Sequence, residues 1–157
     1  MARERRSSAA APHPVARVQA SLEGREPACI AINENSVLIL GEHQFYPGYC
    51  VLWARDAVKE LHQLSPLAYM GYLIELRQAC EAVERAYQPW KLNLASLGNQ
   101  VQHVHMHLFP RRADDAKRLE HPWVHAADFK AVEAEERDAA VQRLRAALSP
   151  KPEKGRP

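Results

Sequence analysis

Apolar and polar positions alternate along the chain in blocks that spell out a short series of elements. Two apolar runs, ACIAI (28–32) and VLIL (37–40), flank the polar, turn-forming NENS and read as two hairpin strands. Pro47-Gly48 marks a further turn, after which YCVLW (49–53) reads as a third strand. Ser65 then stands as an N-cap with Pro66 at the first helical position. Tyr69, Leu73, Leu76, Cys80, Val83 and Tyr87 recur at steps of four and three, predicting a helix with one core-facing apolar stripe. Pro89 ends it. KLNLASL (91–97) and HVHMHLF (103–109) read as two more strands joined through GNQVQ.

Beyond Pro110 the charged stretch RRADDAKRLEHPWVHA reads as a loop, and a last amphipathic helix is expected from Asp128 to Leu148, with Val141, Leu144 and Leu148 on one side. Three strands, a helix, two strands and a helix make an α+β domain: an antiparallel sheet of about five strands packed on a long helix, with a C-terminal helix. The Ala/Arg/Pro/Ser-rich residues 1–20 lack apolar periodicity and are expected to be a disordered tail. Residues 150–157 are expected to be a flexible tail, leaving 21–149 as the folded domain.

Composition narrows the function classes. A chain of 157 residues with 46% hydrophobic and 25% charged residues can bury one substantial core. No apolar run reaches the roughly 18 residues a membrane span needs. The Arg-rich N-terminus lacks the apolar core of a secretory signal, although its acid-poor, Ser-containing character is shared with transit peptides. Cys29, Cys50 and Cys80 are odd in number and widely spaced, matching neither a disulfide nor a zinc framework, so a reducing cytoplasm is expected. The net charge of +2 is unevenly spread. Residues 1–20 carry four arginines against one glutamate, and residues 150–157 three cations against one glutamate. The tails therefore hold +3 and +2, leaving the body near −3. Nucleic acid is not an expected partner, because a binding face would concentrate positive charge on the fold.

The chemistry lies in HVHMH. On a strand, side chains at i, i+2 and i+4 share a face, so His103, His105 and His107 would line one side while Val104, Met106 and Leu108 face the other. Zinc is one candidate partner, since neutral imidazole is a common ligand. At about 3.3 Å per residue, however, the Cα atoms of His103 and His107 would lie about 13 Å apart with parallel side chains. Zn–N bonds of about 2.0–2.1 Å need converging rings. Only two of the three, with a ligand from a neighbouring strand, could form a metal site. The other candidate is covalent chemistry at phosphorus. A neutral imidazole is nucleophilic when its second nitrogen gives its proton to a fixed acceptor, and flanking imidazoles can hydrogen-bond the phosphate oxygens or guide a proton to the leaving oxygen. The amides of Asn99 and Gln100 stand just upstream.

HVHMHLF has the His-φ-His-φ-His-φ-φ form, with φ apolar, of the histidine triad (HIT) superfamily. LNLASLGNQVQHVHMHLFPRR resembles in particular its diadenosine-tetraphosphate-hydrolase-like bacterial branch, as does HQFYPGYCVLWARDAVKELHQLSP. The resemblance spans about residues 28–111 and implies a nucleotidyl hydrolase or transferase. Such an enzyme cleaves a nucleoside 5′-phosphate from a nucleotide, phosphate or amine leaving group. Carried over, it makes His105 the nucleophile of a nucleotidyl-histidine intermediate, with His107 and His103 contacting phosphate oxygens. Asn99, Gln100 and, on the preceding strand, Asn93 fall at nucleotide- or phosphate-binding positions. The resemblance implies a purine nucleotide or dinucleoside polyphosphate substrate and a homodimer with a ten-stranded sheet. No cofactor is required, beyond a divalent metal that can accompany the substrate phosphates. One departure stands out: Tyr49 occupies the place of a fourth histidine, and neither His43 nor His62 is expected to replace it. Glu42 falls one residue out of register with the family's ribose-contacting acid. The alternative function is a nucleotide sensor with negligible turnover; a zinc enzyme is the third reading.

Overall fold

The computed structural model describes residues 14–149. Five strands form one antiparallel sheet: β1 (Cys29–Ile32), β2 (Ser36–Leu40), β3 (Cys50–Ala54), β4 (Lys91–Ala95) and β5 (His105–Arg111), in the order β1-β2-β3-β5-β4. β2 and β3 are buried along their whole length. Gly48, at φ +90° in the turn before β3, needs glycine twice over: the backbone is left-handed, and a Cβ there would overlap the Tyr87 ring.

The long helix is α2 (Pro66–Tyr87), and its ends are where the sequence signals put them. The Ser65 hydroxyl accepts the Ala68 amide proton, a cap worth about 1 kcal/mol. Gln88 closes the helix in the left-handed region just before Pro89. The buried face is rotated from the predicted stripe. Tyr72, Glu75, Leu76, Ala79, Ala82 and Val83 are buried, whereas Leu73 is exposed. Small alanines bring the helix close to its neighbours, and two polar groups find partners there. The Tyr72 hydroxyl donates to the Leu52 carbonyl, and the Glu75 carboxylate accepts from the Asn35 amides and the Ser36 hydroxyl. The rotation leaves Leu67, Met70, Leu73 and Ile74 on an exposed apolar face.

β4 ends at Ala95 and β5 spans His105–Arg111, each shifted by two residues from expectation, and two helical boundaries differ as well. The predicted tail over 1–20 is helical from Pro14 onward: α1 (Pro14–Leu22) buries Val18, and Arg17 pairs with Glu26 at 3.0 Å. The tail expectations for 1–13 and 150–157 lie outside the described residues. The last helix, α3, runs from Ala134 to Leu148 rather than from Asp128. Pro122–Asp128 instead form a 3-10 helix, Ala131 bridges His43, and the Val132 amide donates to the Glu42 carbonyl. Those backbone groups are committed elsewhere, so the α-helix cannot begin earlier. No helix among the described residues is long and apolar enough to cross a membrane.

Candidate active site

The cleft is built on the β3–β5 pair. Register sets Val51 opposite His107 and Trp53 opposite His105, so four side chains share one face of the sheet. Tyr49, just before β3, continues the row. The loop 97–101, the segment 41–43, and Trp123 and Phe129 from the region after β5 wall off a cleft of about 530 Å³.

Within it His105 is held by a hydrogen bond from Nδ1 to the His103 carbonyl, 2.7 Å. A carbonyl only accepts, so the proton sits on Nδ1 and Nε2 carries the free lone pair. The Trp53 ring stacks on the imidazole at 4.4 Å. His107 lies edge-on to His105 with ring centroids 4.9 Å apart, and its Nδ1 is 2.8 Å from the Tyr49 hydroxyl. Burial lowers the pKa of His105, opposed by its bond to His103 and reinforced by the His103 charge. Burial, then the charges of His105 and His43, bring His107 down to about 4. Both rings are neutral near pH 7. That is the state a nucleophile or a hydrogen-bonding imidazole needs.

The other predicted residues divide. Asn99 and Gln100 line the cleft from the loop after Gly98. His103 stands at the end of the row, its ring edge-on to Trp53 with centroids 5.8 Å apart. It precedes β5, is 6% exposed, and Nε2 donates to the Ala54 carbonyl at 2.6 Å. The backbone turns there because the Val104 amide and carbonyl bond to Val58 and Ala54. His103 thus holds the end of β3 and offers its own carbonyl to His105, rather than lining the cleft. Asn93 shares the sheet face but sits opposite Phe109 and accepts from the Arg111 guanidinium at 3.1 Å, away from the cleft. His62 is exposed on a short 3-10 turn elsewhere.

His43 is where sequence reasoning missed. It stacks between Tyr49, at 4.6 Å, and Phe129, at 3.7 Å, and it lines the cleft. Burial brings its pKa to about 4. Glu42 stands at the mouth, 3.8 Å from Arg17. Trp123 and Phe129 carried no local signal, since they reach the cleft only because the region after β5 folds back. The anchor for that return is Arg111, fully buried, which donates to Asp115 and to the Lys117 and Glu120 carbonyls. Among the described residues, no three His, Cys, Asp or Glu side chains are grouped so as to hold a metal ion.

No curated protein sequence matches the chain. Solved structures do. It resembles a histidine triad protein from Bradyrhizobium japonicum at TM-score 0.70 and 23% identity, covering 82% of this chain and 95% of that one. A Zn-bound histidine triad family protein from Mycobacterium smegmatis aligns at TM-score 0.62 and 24% identity, over 82% and 89% of the two chains. A hypothetical histidine triad nucleotide-binding protein from Sulfolobus tokodaii aligns at TM-score 0.67 and 13% identity, over 85% and 91%. At these identities the likeness establishes the fold. The sequence model described as the HIT domain matches residues 25–114, more than half of the chain. With triad, sheet and cleft agreeing, the chain belongs to the HIT domain family.

Proposed function

We propose that this chain is a nucleotidyl hydrolase or transferase of the diadenosine-tetraphosphate-hydrolase-like kind, acting on dinucleoside polyphosphates or nucleoside phosphoramidates. The observation that carries the reading is the locked Nδ1 proton of His105, which leaves Nε2 as a free base in the cleft beside His107. Nε2 attacks the α-phosphorus of a nucleoside 5′-phosphoryl compound. The P–N bond forms as the bond to the leaving group breaks, and that group departs with the electron pair and takes up a proton guided by His107. The ring becomes cationic, and the His103 carbonyl facing Nδ1–H stabilises it. Water then attacks the same phosphorus, the electron pair returns to Nε2, and the nucleoside monophosphate is released. Asn99 and Gln100 hydrogen-bond the nucleotide from the loop. No step is routed through a metal, and none is required, although a divalent ion can accompany the substrate phosphates.

The same reading includes a homodimer and a cytoplasmic location. β4 is an edge strand, and exposed apolar side chains stand on it at Leu94 and on α2 at Leu67, Met70 and Ile74, which suits a second copy. The three cysteines are free thiols, which suits a reducing compartment. A second reading, a purine-nucleotide sensor with negligible turnover, is favoured by Tyr49, whose buried phenol carries no proton-relay charge near neutral pH. The test is incubation with labelled dinucleoside polyphosphates and nucleoside phosphoramidates, with His105→Asn as control. Turnover and an acid-labile adduct on the wild type alone support the hydrolase. Binding without turnover favours the sensor, and equal turnover by both proteins removes His105 as nucleophile.

A further inference from the structure

The Tyr49 ring is held on every side. It lies flat on Phe109, with centroids 4.4 Å apart and planes 4° apart, and stacks on His43 from the other direction at 4.6 Å. A Cβ on Gly41 would overlap the ring, so glycine there makes the room that a phenol needs. Packed this way, Tyr49 is only 7% exposed, and its hydroxyl meets His107 Nδ1 at 2.8 Å. Among the described residues that hydroxyl has no second partner. A hydroxyl accepting a proton from Nδ1 would have to send its own proton elsewhere, and the unpaired buried nitrogen nearby, His43 Nδ1, belongs to a ring stacked on Tyr49 and makes no hydrogen bond with its hydroxyl. Donation to Nδ1 satisfies both groups.

We infer that Tyr49 is a positioning residue that fixes His107 as the Nε2–H tautomer, so that the cleft presents a base at His105 and a hydrogen-bond donor at His107. The two histidines of β5 thus take opposite tautomers. His105 keeps its proton on Nδ1 through the His103 carbonyl, and His107 keeps its proton on Nε2 through the Tyr49 hydroxyl. A row of imidazoles gains from this arrangement because adjacent positive charges repel, so a phosphate oxygen is met by a neutral donor rather than an imidazolium. Phenol suits the task better than a further imidazole. Burial pushes its pKa up, so it stays a neutral donor over the whole working range, whereas an imidazole has two tautomers and a charged state.

The catalytic consequence rests on the proposed hydrolase reading, but the tautomer is a property of the free protein, which makes the two separable. Two-bond 1H–15N correlation spectra of the full-length chain at pH 7.5 report which nitrogen of each histidine bears the proton. The wild type is expected to show His107 protonated on Nε2 and His105 on Nδ1. Tyr49→Phe keeps the packed ring and removes only the hydroxyl; it should give a mixture of His107 tautomers while leaving the His105 pattern unchanged. Against a turned-over dinucleoside polyphosphate, Tyr49→Phe should lower kcat about tenfold with KM nearly unchanged, the loss of one oriented hydrogen bond. Gly41→Ala, which displaces the ring from the opposite side, should reproduce the tautomer mixture. A wild-type His107 protonated on Nδ1, or a Tyr49→Phe protein that keeps the single Nε2–H tautomer, overturns the inference. If the tautomers behave as stated and the wild type turns nothing over, the inference stands and the hydrolase reading falls.

Discussion

Replacing Arg111 by methionine tests whether the region after β5 is held in place by one buried cation. The guanidinium is fully buried. It donates to Asp115 Oδ2 at 2.7 and 3.3 Å, to Asn93 Oδ1 at 3.1 Å, and to the carbonyls of Glu120 at 2.6 Å and Lys117 at 2.8 Å, with Tyr46 across its face at 5.2 Å. Methionine fills much of the volume but donates nothing. Removing one member of a buried ion pair costs about 3–5 kcal/mol. Asp115 retains donors from His125 and from the Lys117 amide, which places the expected loss near the lower end, about 3 kcal/mol. For a domain of this size that lowers Tm by roughly 10 °C. The pH dependence changes as well. Burial raises the Asp115 carboxyl, but the hydrogen bonds from Arg111, His125 and the Lys117 amide outweigh it and hold the pKa at about 2. A depressed carboxylate pKa contributes stability that is present above its unfolded value, about 3.9, and is lost as pH falls toward 2. Arg111→Met should flatten that acid loss. Thermal unfolding at pH 7 and a pH series from 2 to 5 check both statements. A variant melting within 1 °C of wild type would refute the anchoring argument.

Four further outcomes are expected. His105→Asn should reduce kcat by about a thousandfold or more with folding intact, checked by steady-state kinetics beside circular dichroism. His107 and His43 are half-buried as neutral rings with pKa near 4, so the unfolded chain binds more protons between about pH 6.5 and 4. Stability in urea should therefore be full above pH 6.5 and fall as pH drops through that window, and His43→Gln should weaken the slope. Gly41→Ala should cost about 1–3 kcal/mol, because its methyl overlaps the Tyr49 ring; denaturant midpoints measure it. If the exposed α2 face seats a second copy, Ile74→Glu should convert a dimer to a monomer in sedimentation equilibrium.

The parts legible in the sequence are those encoded over a few residues. The Ser65–Pro66 start of α2, its stop before Pro89, the five strands and the histidine row needed only capping chemistry and alternation, which act between near neighbours. The tautomer of His105 is nearly as local, since the carbonyl that holds its Nδ1 proton lies two residues away. Asn99 and Gln100 line the cleft from the loop just upstream of the row.

What the chain could not disclose is what depends on distant segments meeting. The rotation of α2 came from the fit of alanines and from a buried Glu75 finding Asn35 and Ser36 some forty residues away. His103 stays outside the cleft lining because its Nε2 is spent on the Ala54 carbonyl, where Val104 bonds to Ala54 and Val58. Asn93 was drawn to Arg111, and His43 entered the cleft because Tyr49 and Phe129 close around it. The sequence by itself determined the five strands, the long helix and the family resemblance that marks His105 as the candidate nucleophile. Tertiary structure decided how the protons are distributed, because the Tyr49 hydroxyl reaches His107 only after β3 and β5 pair across 58 residues of chain.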